Sequence, residues 1–163
     1  MSIQYKTHSG ESGSVEDSVF DCAKYPGSDD VWICYSEHMS ELAKEEAHHH
    51  DHDHDDPVEV HQLEAWRNLY YHKYLWEILR TYNKGSVFLE IGAGSGFDAE
   101  QLVQDYKLVL TDVSPATLDR LGGRLQQQRS KIEQLVACDG EHLPFADSQF
   151  DAVYMIAVFH HFE

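Results

Sequence analysis

The chain predicts an α/β fold, a doubly wound parallel sheet, and three observations carry that prediction. Short apolar runs at residues 87–91, 107–111, 135–138 and 150–156 alternate with segments of helical character, the order that lays parallel strands under crossover connections. The first run ends in Gly92-Ala93-Gly94-Ser95-Gly96, a turn with little side-chain bulk between a strand and a helix. The second and third runs end in the acids Asp112 and Asp139, at the carboxyl ends where sheets of this class take their ligands.

Taken in order, residues 1–35 mix Ser, Gly, Asp and scattered aromatics without a sustained period and read as loop, with Val31-Trp32-Ile33-Cys34-Tyr35 as one short strand. A helix is expected from Ser36, with that serine as its cap and acids in the first turn. It runs into His48-His49-His50-Asp51-His52-Asp53-His54-Asp55-Asp56, closed by Pro57. Lacking any apolar residue to bury, this tract reads as a solvated linker. Residues 1–57 are therefore an acidic extension with a His/Asp-rich linker, and residues 58–163 form the folded domain.

Beyond Pro57, Leu63, Trp66, Tyr70, Tyr74 and Ile78 recur at helical steps, and Leu69, Leu75 and Leu79 widen the stripe. This helix is expected to end near Asn83-Lys84-Gly85, with Tyr70 and Tyr74 packed in the core. After the glycine turn, residues 97–104 suit a helix. Ser114-Pro115 opens another, with Ser as cap, Pro in the first position and Leu118, Leu121 and Leu125 on one face.

Charge and cysteine content limit the function classes. Residues 1–60 carry 15 acidic side chains against 3 Lys, and the whole chain is at −17. A surface so acidic repels a phosphate backbone, so nucleic acid is excluded as a partner. Cys22, Cys34 and Cys138 are odd in number and form no C-x-x-C pair, which points away from a disulfide framework or a standard zinc site and toward a reducing cytoplasm. No apolar run approaches the length of a membrane-spanning helix.

The turn and the two acids describe a nucleoside site. Asp112 lies twenty residues after Gly92, the spacing at which an acid meets a ribose diol, and Asp139 is suited to accept from an exocyclic amine. A dinucleotide fingerprint needs a third glycine at position 97, which is Phe97. Glu90 and Asp98 flank the turn, and their charge opposes a pyrophosphate but favours a ligand bearing ammonium and sulfonium groups.

Glu90-Ile91-Gly92-Ala93-Gly94-Ser95-Gly96, Leu110-Thr111-Asp112-Val113-Ser114-Pro115, and Asp139-Gly140-Glu141-His142-Leu143-Pro144-Phe145 through Phe150-Asp151-Ala152-Val153 resemble successive motifs of class I S-adenosylmethionine (AdoMet) methyltransferases. The resemblance covers about residues 65–163 and is nearest to the group of ubiquinone/menaquinone-biosynthesis enzymes and small-molecule methylases. It implies a Rossmann-like fold and AdoMet as cofactor. Glu90 and Gly92 would lie along the methionine moiety, with Ala93, Gly94 and Gly96 in the cofactor-binding turn, and Asp112 with Val113 at the ribose. Asp139, Gly140 and Glu141 would frame the adenine, and Ala157 would approach the methyl group. The family's sheet has seven strands, so this chain is expected to be truncated after the fourth. That strand would then be an apolar edge for self-association or a partner strand.

The expected activity is methyl transfer to a small-molecule or lipid-like acceptor, with His160 and His161 as candidate general bases. Two other classes compete with it. One is a non-catalytic or fragmentary AdoMet-binding module. The other is a metal-binding protein acting through His48, His49, His50, His52 and His54, whose imidazoles suit Zn²⁺, Ni²⁺ or Cu²⁺.

Overall fold

A computed structural model of the chain describes residues 5–6, 12–13, 21–52 and 71–162. A small ladder pairs β1 (Tyr5–Lys6) with β2 (Ser12–Gly13). The main sheet has six strands: β3 (Asp21–Lys24), β4 (Val31–Tyr35), β5 (Val87–Ile91), β6 (Lys107–Asp112), β7 (Ile132–Ala137) and β8 (Ala152–Met155). Their order is β3-β4-β7-β6-β5-β8. All neighbours are parallel except the β3–β4 hairpin. The path β5, β6, β7 runs one way across the sheet and β8 returns to the far side of β5, which is the reversal that opens a crevice beyond the strand ends.

The four expected strands of the domain are present, the short strand expected at residues 31–35 is β4, and β3 adds one more to the sheet from the stretch read as loop. β4 pairs parallel to β7 through Val31, Trp32 and Ile33, because Val31 and Cys34 are buried while their neighbours are only partly so. Cys22 and Cys34 are directly opposed in the hairpin and form a disulfide, with Cα atoms 4.3 Å apart. The expectation of no disulfide is thus corrected. The pairing depends on cross-strand register, which cysteine spacing along the chain does not reveal. Cys138 stays a buried free thiol. β8 is one of the two edge strands of the sheet among the described residues, β3 being the other, and its Val153 is half exposed.

Helix α1 spans Glu41–His52. Its cap is Ser40, whose Oγ accepts from the Ala43 N–H at 3.0 Å. Ser36, the expected cap, instead turns the chain by accepting from His38 N–H, and Met39 is buried behind it. The helix carries His48 to His52 with it, so the first half of the His/Asp tract is not a solvated linker. Asp51 accepts from Ser114 Oγ–H at 2.7 Å and from Ala116 N–H at 3.3 Å, and Arg120 donates to the His50 carbonyl. This docking is entirely polar, which is why a hydropathy reading misses it. Residues 53–57 of the tract, His54 among them, lie outside the described residues.

Helix α2 spans Lys73–Leu79 and ends before the expected stop. Leu63, Trp66, Leu69 and Tyr70 of its stripe lie outside the described residues. Within it, Leu79 is buried and Leu75 and Trp76 pack on the core, whereas Tyr74 and Ile78 are 61% and 62% exposed. Core packing of Tyr74 is thus corrected. The inward face is set by Asp98, whose Oδ1 lies 2.7 Å from both His72 Nδ1 and Trp76 Nε1. A buried carboxylate needs its donors, and meeting that need turns the helix.

Helices α3 (Phe97–Leu102) and α4 (Pro115–Arg124) come after the glycine turn and β6. Ser114 caps α4 through Thr117 N–H. Leu118 and Leu121 on α4 join Leu102, Leu108, Leu110 and Leu135 in one core, each buried leucine contributing about 1.5–3 kcal/mol. Packing of Leu118, Leu121 and Leu125 carries the helix through Gly122-Gly123. The opposite face of the sheet is covered by the β7–β8 connection, through Leu143, Phe145 and Phe150. No described helix is long and apolar enough to cross a membrane.

Candidate functional site

A cavity of about 420 Å³ opens at the carboxyl ends of β5, β6, β7 and β8, within the range of small-molecule sites. Each strand end supplies part of its lining: Gly92 and Gly94 after β5, Asp112 and Val113 at β6, Asp139 and Gly140 after β7, Ala157 after β8.

The turn after β5 is built on left-handed backbone. Gly92 has φ 70°, and a Cβ there would lie 2.2 Å from Val158 Cγ2. Gly96 has φ 79° and starts α3, and its Cβ would lie 2.1 Å from Leu121 Cδ1. Only glycine meets both demands. The Ala93 N–H donates to the Thr111 carbonyl at 2.8 Å, and Gly94 N–H to Asp112 Oδ2 at 2.9 Å, which fastens the turn to β6.

Asp112 is 9% exposed and also accepts from Ser114 N–H at 3.0 Å. Burial pushes its carboxyl above the usual range against the pull of these two N–H donors. Asp139, 2% exposed, accepts from Glu141 N–H at 2.9 Å and lies 2.8 Å from His142 Nδ1. Each of these carboxylates retains acceptor capacity for a ligand donor. Glu90, 4% exposed, accepts from Tyr154 Oη–H at 2.9 Å. Burial, with the charge of Asp98 adding to it, raises its carboxyl well above the usual range, and the Tyr154 hydrogen bond offsets only part.

The raised Glu90 carboxyl makes a pH prediction. Below about pH 4.5, its ordinary value, folded and unfolded chains both hold the proton. Above it the unfolded chain ionises first, so stability is lost as pH rises toward the folded value, by at most about 1.4 kcal/mol per unit. Glu90→Gln cannot ionise. Its ligand-free stability relative to wild type, read from urea unfolding at about pH 5 and pH 7, is expected to increase with pH. A difference that stays constant sinks the assignment.

Gly92, Gly94, Asp112, Val113, Asp139, Gly140 and Ala157 line the cavity directly. Glu90, Ala93 and Gly96 are buried and Glu141 is exposed, and none of the four lines the cavity directly. His161 lines it, while His160 is exposed and outside it. His48 to His52 lie on α1, and among the described residues no group of three or more His, Cys, Asp or Glu side chains is placed to hold a metal.

Sequence reasoning missed the wall opposite the strands. Ala43, Glu46 and His50 of α1 and Thr117 and Arg120 of α4 line the same cavity. Glu46 lies 3.3 Å from both His50 Nε2 and His161 Nδ1. The hairpin reaches the site as well, with Tyr35 Oη–H donating to the Val113 carbonyl at 2.6 Å. Nothing local in the sequence signals these contacts. Ala157 adds backbone strain at the cavity, with φ 57° in a residue that carries a Cβ.

Residues 89–163 match the family described as "Methyltransferase domain". The mouse and human proteins named "Probable tRNA methyltransferase 9B" are each 31% identical over 86 residues, covering 53% of this chain and 17% of theirs. The chain thus spans about a sixth of the length of these curated relatives. Among solved structures, one described as a SAM dependent methyltransferase from Aquifex aeolicus superposes with a TM-score of 0.50 at 20% identity, covering 66% of this chain and 60% of that one. That likeness is one of fold.

Proposed function

We propose, for a chain whose residues 89–163 carry a class I AdoMet-dependent methyltransferase domain, that the cavity binds AdoMet and that its methyl group passes to a small-molecule or lipid-like acceptor. The carrying observation is three buried carboxylates, Glu90, Asp112 and Asp139, on three neighbouring parallel strands around a left-handed glycine turn. Acids so placed suit a cationic nucleoside and oppose a pyrophosphate.

In this reading Asp112 accepts from the ribose hydroxyls and Asp139 accepts from the adenine amine. Glu90, which burial holds protonated to higher pH than usual, is driven to ionise by the ligand's ammonium and sulfonium charges and then supplies negative potential toward them. Gly92 to Gly96 give close backbone approach, Val113, Gly140 and Glu141 edge the nucleoside, and Ala157 stands near the reacting end. AdoMet supplies an activated methyl group on a good leaving group. The protein's part is alignment and exclusion of water, which in-line displacement chiefly needs. The name of the mammalian relatives speaks of tRNA for those proteins. The acidity of this chain supports a different, smaller acceptor.

Isothermal titration of the full chain tests the reading. AdoMet and its demethylated product, S-adenosylhomocysteine (AdoHcy), are expected to bind at micromolar Kd, and NAD not at all. A well-folded chain that binds neither sulfur nucleoside would defeat it.

A further inference from the structure

The wall contributed by α1 brings a second kind of chemistry to the cavity. His161 lies in the short helical turn Phe159–His161 after β8, held by its N–H on the Val158 carbonyl at 2.9 Å. Its Nδ1 faces Glu46 Oε1 at 3.3 Å, and its ring lines the cavity. The other oxygen of Glu46 lies 3.3 Å from His50 Nε2, one turn along the same helix. Its helix is bolted to α4 through Asp51. A carboxylate on one imidazole nitrogen fixes the tautomer and leaves the other nitrogen's lone pair outward. His160 packs against His161 with its ring tilted by 41° and the centroids 3.9 Å apart but does not line the cavity, so the two histidines are not equivalent.

We propose that Glu46 and His161 form a carboxylate–imidazole dyad on the acceptor side of the cavity, with His161 Nε2 as proton acceptor and Glu46 as its positioning residue. The dyad rests on the methyl-transfer reading and narrows it to acceptors that methylate at an O–H or N–H group. As the acceptor's lone pair forms its bond to the methyl carbon, the carbon–sulfur bond breaks and its electron pair stays on sulfur. The acceptor's proton goes to His161 Nε2, and Glu46 stabilises the resulting imidazolium. Hydrogen bonds of such dyads are commonly long in unliganded sites and tighten on binding. The left-handed turn at Ala157 is the kind of strain that collects at reacting centres.

The test uses two ligands that differ at the reacting end. Sinefungin carries an amine-bearing carbon where AdoMet has its methylated sulfur, whereas AdoHcy has a bare thioether. Both are titrated calorimetrically into the full chain and into the His161→Leu and Glu46→Ala variants. Each variant is expected to bind sinefungin about tenfold more weakly and AdoHcy within about twofold of wild type. An equal loss of both ligands, which general damage to the fold would give, overturns the dyad. Unchanged sinefungin binding overturns it too. Wild-type chain that binds neither ligand overturns the AdoMet reading itself and the dyad with it.

Discussion

Asp112→Ala is expected to weaken AdoMet binding by at least about 100-fold while leaving the chain folded. The carboxylate is buried, and its oxygens are oriented by the N–H groups of Gly94 and Ser114, so it meets a ribose diol without reorganising. Two charge-assisted hydrogen bonds at roughly 1.5–3 kcal/mol each amount to two to four decades of affinity. Ala also removes one of the two hydrogen bonds that fasten the glycine turn to β6, which raises the cost of ordering it around a ligand. Asp112→Asn makes the control. It keeps the volume, but turns an NH₂ toward one of the two N–H donors, so it too is expected to bind poorly. Calorimetry gives the affinities and a thermal melt confirms folding. Wild-type affinity in Asp112→Ala would remove Asp112 from the site.

Gly96→Val is expected to destabilise the fold by about 3–5 kcal/mol, the range of severe single substitutions. The backbone at φ 79° is hostile to a β-branched residue. Its Cβ would also lie 2.1 Å from Leu121 Cδ1, the tip of a buried core side chain that would have to shift and repack. Gly94→Ala is the contrast. It shares a left-handed backbone, φ 49°, but its Cβ meets nothing within 4 Å, so about 1–2 kcal/mol is expected from conformation alone. Urea unfolding separates the two, and equal losses would show that packing against Leu121 does not matter.

The strand half of the site was legible because its signals are local. Asp112 and Asp139 each close an apolar run, and the glycines of the turn stand together, so strand ends and spacing sufficed to place them around one cavity. The α1 half was not. Ser36 was the expected cap of α1, whereas Ser40 caps it and Met39 between them is buried. Cys22 and Cys34 looked unpaired until the β3–β4 register set them opposite each other. Tyr74 and Ile78 carry the apolar period, yet a pair of hydrogen bonds to Asp98 from His72 and Trp76 turned α2 so that they face outward.

What the sequence determined by itself is the parallel α/β sheet, the glycine turn and the acids at the ends of β5, β6 and β7, since backbone preference and burial of alternating segments act within a few residues. Only the tertiary structure decided that the acidic N-terminal segment enters the same sheet and closes the same cavity. β4 enters by pairing with β7, and the cavity is closed through polar partners with no period in the sequence: Asp51 on Ser114, Tyr35 on Val113, Glu46 on His161. Such contacts join residues about 63 to 115 positions apart, and their strength depends on desolvation that exists only once the sheet has formed.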